Sequence, residues 1–322
     1  YTMKILRYTT KNTLTKKSSF GVTIDDNSFI SFNDIFEDDI SKKISITDII
    51  LEPSINTKIR EVFNSKQIKN TKTYKIAEVE LLCPLDKISS LRDAYAFRQH
   101  VKTSRENRGL KMIDEFDSFP VYYYSNHNAV SGPGLIEINN AFIDKLDYEL
   151  EIVIIIGKKG RDISLDQADS FIYGFSIMND FSSRQIQMDE MKLNLGPAKG
   201  KDFATTIGPY IVTKDDLNDS IIQTKKGNQY DIELSCTVNG IKYSNDNLRN
   251  MHWTFAEIIS QISIGTTLYP GDVIGSGTCG TGCFYEINSS KNLSNQTWLN
   301  NGDIVTISTN KIGSLSNEIK IV

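Results

Sequence analysis

Between positions 146 and 157 the chain reads Leu146-Asp147-Tyr148-Glu149-Leu150-Glu151-Ile152-Val153-Ile154, followed by Ile155, Ile156 and Gly157. Apolar and acidic residues alternate there with the period of a strand, so 146–157 predicts the clearest strand in the chain. Leu146, Tyr148, Leu150, Ile152 and Ile154 share one face. Asp147, Glu149 and Glu151 share the other, which Val153, Ile155 and Gly157 continue. Residues 4–35 predict short strands broken at Asp25-Asp26-Asn27, and 73–82 an alternating strand that stops at Cys83-Pro84, because proline disfavours continuation. A strand is expected over 171–178 after a short helix at 165–170. Residues 230–238 and 241–243 predict a hairpin, since Asn239-Gly240 suits a type I′ turn. Helical spacing recurs at 47–69, one or two helices with Arg60, Lys66 and Lys69 towards solvent, and at 253–262, with Phe255, Ile258, Ile259 and Ile262 on one side. Gly271-Asp272 and Gly302-Asp303 each lead into a β-branched pair. The pattern predicts an α+β chain with a mixed, rolled β core: a small β-rich N-terminal domain over 1–85 and a larger domain over 86–322.

Composition narrows the function more than the fold. The 322 residues carry 36 Lys+Arg against 40 Asp+Glu, a formal charge of −4. A phosphate-binding surface needs a basic excess, so nucleic acid is not an expected partner. With 39% hydrophobic residues and 7 prolines, the chain can bury a sizeable core. No apolar run approaches the ~20 residues of a membrane span, and residues 1–7 lack the apolar segment of a secretory signal. A soluble, cytoplasmic protein is expected. No 20–50-residue repeat is visible. Cys83, Cys236, Cys279 and Cys283 are too scattered for a disulfide framework, and Cys279 and Cys283 have no second pair to complete a zinc site, so they read as ordinary thiols. Three histidines (His100, His127 and His252) exclude a histidine-rich metal centre, which leaves catalysis to carboxylates and one or two histidines.

On the predicted strand, Glu149 and Glu151 stack on one face roughly 7 Å apart. Like charges under partial burial raise each other's pKa and destabilise the fold unless a cation sits between them. Oxygen ligands suit Mg²⁺, Mn²⁺ or Ca²⁺. The alternative is a solvated edge strand whose acids discourage aggregation. Asp180, at the end of the strand over 171–178, and Asp93, seven residues before His100, are able to complete such a site; each alone reads as a cap or a solvated charge. The run from Leu195 to Phe203 lacks the spacing of a phosphate-binding loop, and by itself it reads as a surface turn.

Taken together, six segments in order resemble the fumarylacetoacetate hydrolase family over about residues 85–322. They are 92–100 with its Asp-x-Tyr-x-x-x-Gln-His pattern, Ser131-Gly132-Pro133-Gly134, 146–151, Met178-Asn179-Asp180 with Ser182-x-Arg184-x-Ile186-Gln187, 195–203, and 270–278. The resemblance implies a β-roll catalytic domain and a divalent cation, Mg²⁺ first and Ca²⁺ or Mn²⁺ as alternatives, on Asp93, Glu149, Glu151 and Asp180. It implies His100 as the base that activates water, Glu286 orienting it, and Lys201 and Gln187 holding substrate oxygens. Tyr95, Arg108 and Thr278 match substrate-contacting positions, and a homodimer acting on a small oxo-acid is expected. The implied reaction is hydrolysis of a C–C bond in a 1,3-diketo acid, with a metal-stabilised enolate as leaving group. An oxo-acid hydratase, isomerase or decarboxylase, and a non-catalytic binding protein, are the alternatives. Two departures stand out. Phe181 replaces the usual tryptophan, and Met191 stands where the animal enzyme has a substrate-binding tyrosine; Tyr123 or Tyr124 is a candidate to supply a phenol. His127 and His252 read as structural or surface residues.

Overall fold

The computed structural model describes residues 2–11, 17–36, 44–64 and 71–322. Its centre is the strand Leu150–Ile156, in which every residue is buried. Period-2 alternation then divides the side chains between two cores. Ile152, Ile154 and Ile156 enter the larger core, while Val153 and Ile155 enter a second one on the opposite face of the sheet. That second core is closed by residues from the N-terminal part of the chain, among them Met3, Ile5, Phe20, Ile46, Ile49 and Ile59.

The sheet has twelve strands among the described residues, and its order explains that cover. Lys4–Thr10 lies between Ser19–Thr23 and Thr205–Thr213; beyond these come Ile172–Asp180, Leu150–Ile156, Val273–Gly275, Leu91–Ala94 and Tyr122–Ser125. Lys4, Ile5 and Leu6 pair with Val212, Ile211 and Tyr210, so residues 1–85 supply strands to the same sheet that carries the later segments. Helices Ile46–Leu51 and Pro53–Asn64 follow; the first is held by a capping box between Ser45 and Asp48. A separate five-stranded sheet runs from Ile241–Asn247 through Glu233–Val238, Ile304–Thr309 and Ser314–Ile321 to Gly134–Ile138 and packs on the larger core.

Several expectations hold in detail. Asn239 and Gly240 both take positive φ (52° and 79°) in the hairpin between Glu233–Val238 and Ile241–Asn247. Helix Phe255–Ser263 buries Phe255, Ile258, Ile259 and Ile262 behind a Thr254–Glu257 capping box. Others need correction. The strand expected over 73–82 is two short strands, Tyr74–Lys75 and Val79–Leu82, separated by the 3₁₀ turn Ile76–Glu78. Arg60 turns from open solvent to Asp216, at 3.0 Å, and Thr213, at 2.8 Å; Lys66 and Lys69 lie outside the described residues. The continuous strand expected over 146–157 breaks at Tyr148-Glu149. Leu146–Asp147 pairs with Ser182–Ser183, and only Leu150–Ile156 joins the large sheet. Among the described residues no helix is long and apolar enough to cross a membrane.

Because one sheet links the N-terminal strands to the later ones, we expect Ile5→Ala to lower the stability of the whole chain by about 2–5 kcal/mol. Thermal unfolding followed by circular dichroism should keep a single transition; an early step that leaves the rest of the chain folded would contradict this.

Candidate active site

Neighbouring strands of the large sheet end at one edge and place three acids together. Glu151 is the second residue of Leu150–Ile156, and Asp180 is the last of the antiparallel strand Ile172–Asp180. Asp93 lies on Leu91–Ala94, directly opposite Gly275. A side chain at Gly275 would put its Cβ 2.3 Å from Asp93 Oδ1, so glycine is what lets that carboxylate turn towards Glu151. Carboxylate oxygens of Asp93, Glu151 and Asp180 lie within 4.8 Å of one another, and all three residues are buried.

Their hydrogen bonds are incomplete. Gly277 N–H donates to Asp93 Oδ1 at 3.1 Å, and Thr278 Oγ1 to Glu151 Oε1 at 3.2 Å. Asp180 accepts from Tyr123 OH at 2.7 Å, Lys201 Nζ at 2.8 Å and Thr205 Oγ1 at 3.2 Å. Glu151 Oε2 is buried without a partner. Burial raises the pKa of all three carboxyl groups, and neighbouring acids push Asp93 and Glu151 further. An orphaned carboxylate oxygen beside two convergent acids is the donor set of a hard divalent cation, which Asp93, Glu151 and Asp180 would hold.

Glu149, expected as a fourth ligand, lines the same cavity as Asp93 and shares Lys201 with Asp180. It makes ion pairs with Lys201 and, at 2.8 Å, with Arg184 Nη2. Burial opposes its ionisation, but the two cations prevail and bring its pKa down to about 2. Asp147, expected on the same face as Glu149 and Glu151, meets the same Arg184 guanidinium as Glu149, although the strand breaks between them. It accepts from Arg184 Nε at 2.8 Å and from the backbone N–H groups of Phe284 and Tyr285 at 2.8 and 2.9 Å. Arg184 thus joins two acids and also donates to Gln187 Oε1 at 3.0 Å. The sequence motif around Ser182 contained Arg184, yet nothing in its spacing gave it this role. The run is an exposed turn from Leu195 to Lys199, as expected, but Lys201 within it is only 4% exposed. Gly200 packs against Gln187 so closely that a Cβ there would lie 2.7 Å from the Gln187 nitrogen.

A cavity of about 400 Å³ opens onto this group, with Asp93, Glu149 and Lys201 in its wall. His100 lines it too, on helix Arg98–Glu106, with Nδ1 3.0 Å from Glu286 Oε2 and Nε2 3.5 Å from Ser104 Oγ. Tyr95 stands edge-on to the imidazole at 6.0 Å, and Thr278, Gln187 and Arg108 also face the cavity. Met191 does so as well, with its sulfur 3.7 Å from Arg108 Nη1. Between the two candidate tyrosines the structure chooses Tyr123, whose hydroxyl meets Asp180; Tyr124 is 62% exposed and covers the Arg92 guanidinium. Phe181 is fully buried in the core. His252 packs between Phe116 and Trp253 beside Asp117, a structural setting, and His127 sits partly exposed at the start of a 3₁₀ turn.

The family model described as "Fumarylacetoacetate (FAA) hydrolase C-terminal" matches residues 90–320, most of the chain and all of the residues above. The chain belongs to the fumarylacetoacetate hydrolase family. Among its relatives, a fumarylacetoacetate hydrolase domain-containing protein 2 homolog from Dictyostelium discoideum is 30% identical over 207 residues. That match covers 62% of this chain and 64% of the relative, less than two thirds of the relative's length. The oxaloacetate tautomerase YisK of Bacillus subtilis is 29% identical over 252 residues, 76% of this chain and 75% of YisK. Among solved structures, a fumarylpyruvate hydrolase from Pseudomonas aeruginosa in complex with Mn²⁺ and pyruvate superposes with a TM-score of 0.58 at 20% identity, over 74% of this chain and 93% of that one. That likeness is one of fold. The family's relatives thus include both hydrolases and tautomerases.

If repulsion among the three acids is what a cation relieves, Glu151→Gln should stabilise the EDTA-treated protein by about 1–3 kcal/mol and abolish the rise in Tm that Mg²⁺ or Mn²⁺ produces in the unaltered chain. Unchanged cation stabilisation in that variant would exclude Glu151 from the site.

Proposed function

We propose that this chain is a divalent-metal-dependent hydrolase that cleaves a C–C bond of a β-diketo acid, an acylpyruvate or fumarylacetoacetate-like compound. The observation that carries the reading is the buried His100–Glu286 pair, at 3.0 Å, on the wall of the cavity that Asp93 and Lys201 also line. A carboxylate at Nδ1 holds the proton on that nitrogen, which leaves the Nε2 lone pair free to accept one from water. The hydroxide so formed adds to the distal carbonyl carbon. The C–C bond then breaks towards the enolate, and His100 returns its proton to the departing carbon. Gln187, Lys201 and Arg108 offer donors along the cavity for the substrate's carbonyl and carboxylate oxygens. A bound divalent cation would supply Lewis-acid stabilisation of negative charge on the oxygens of the diketo acid. Mg²⁺ is the cation we favour, and the homodimer implied by the family resemblance belongs to the same proposal.

A second reading, tautomerisation of an oxo-acid, is favoured by the match to oxaloacetate tautomerase over three quarters of both chains. It uses the same base without breaking a C–C bond.

The two are separated by incubating the protein with short acylpyruvates and with oxaloacetate, with EDTA, Mg²⁺, Mn²⁺ or Ca²⁺, and analysing the products. Cation-dependent loss of the enol absorbance, with pyruvate and a carboxylic acid formed, is expected. Keto–enol interconversion with no cleavage would favour the tautomerase. His100→Ala should lower kcat about 10²–10⁴-fold; near-normal turnover in that variant would remove His100 as the base.

A further inference from the structure

Cys283 lies on the far side of the histidine pair, where no step of the proposed reaction uses it. Its Sγ is 4.0 Å from His100 Nδ1, the nitrogen that also faces Glu286 Oε2 at 3.0 Å. One nitrogen, one sulfur and one carboxylate oxygen from these three residues lie within 4.8 Å of one another, and all three residues are buried. Of the three, His100 is part of the cavity wall.

We infer that His100, Cys283 and Glu286 form a second metal site, chemically distinct from the acid cluster, that takes a thiophilic borderline ion such as Zn²⁺ or Co²⁺ and switches the enzyme off. The donor sets differ in kind. Asp93, Glu151 and Asp180 offer only oxygen, which suits hard cations, whereas an imidazole, a thiolate and one carboxylate suit Zn²⁺. Binding conserves every proton. The Cys283 thiol releases its proton to solvent, Sγ and Nδ1 each give an electron pair to the ion, and the imidazole proton moves from Nδ1 to Nε2. With Nε2 protonated, and Ser104 Oγ 3.5 Å away as its acceptor, the lone pair that would take a proton from water is gone. The binding part of this inference stands on geometry alone; the inhibitory part rests on His100 being the base.

The test is a Co²⁺ titration of the Mg²⁺-saturated protein, read by the near-ultraviolet charge-transfer band of a thiolate–cobalt bond. Cobalt on the acid cluster cannot produce that band. One equivalent of signal is expected in the unaltered chain and in Cys279→Ser, and no thiolate band in Cys283→Ser, which lacks the sulfur that the band reports. No band in the unaltered chain, or an undiminished one in Cys283→Ser, would overturn the site. Should Cys283→Ser fail to fold, Glu286→Gln serves as the weakened variant in the same titration. In turnover assays Zn²⁺ should inhibit the unaltered chain and leave Cys283→Ser at least tenfold less sensitive; equal sensitivity would place the inhibitory ion elsewhere. The absorption signal needs no turnover, so a protein that binds cobalt through Cys283 but cleaves no acylpyruvate defeats the proposed function and leaves the second site standing.

Discussion

A line of alternating buried charges holds this site together: Asp147, Arg184, Glu149, Lys201 and Asp180, each paired with the next. Removing one member of a buried pair leaves its partner uncompensated, typically at a cost of several kcal/mol. The line therefore fixes the positions of its members more firmly than packing alone would. It begins where Asp147 holds the backbone at Phe284 and Tyr285, next to Glu286, and it ends at the acid cluster. His100 and the acids thus share one scaffold, although His100 and Glu286 come from segments far apart in the chain.

That line crosses the break in the central strand. Asp147 and Glu149 share Arg184, Glu149 also meets Lys201, and Glu151 lies in the sheet. Asp180 shares Lys201 with Glu149, and a divalent cation held by Asp93, Glu151 and Asp180 would compensate the remaining negative charge. The sheet itself resists deformation because both faces are buried, one by the larger core and the other by the N-terminal strands and helices.

Much of the site was legible before any coordinates. Asp93, Glu149, Glu151, Asp180, His100, Glu286 and Lys201 were named on the family resemblance, Glu149 and Glu151 also on strand alternation; Asp93, Glu149, His100 and Lys201 line one cavity, with Glu151 and Asp180 beside Asp93 and Glu286 beside His100. Tyr123 was named only as one of two candidates, because adjacent residues on a strand point to opposite faces and the sequence does not say which face is inward. Arg184 lay inside a recognised motif without a role, since its partners Asp147 and Glu149 are 37 and 35 positions away and share no local spacing with it. Cys283 read as an ordinary thiol because its neighbour His100 is remote in sequence.

The sequence by itself determined what local chemistry controls: strand alternation, the Asn239-Gly240 turn, the helix over Phe255–Ser263, and the acids, histidine and lysine available for catalysis. Those features depend on backbone sterics and on neighbours within a few residues. Tertiary structure alone decided that the described N-terminal strands and helices close the second face of the large sheet, that the strand breaks at Tyr148-Glu149, and that Glu149 is held by cations while Glu151 keeps an unpartnered oxygen. Each of those outcomes is set by which distant charge or apolar surface comes within a few ångströms, and that separation in space has no counterpart in the order of residues along the chain.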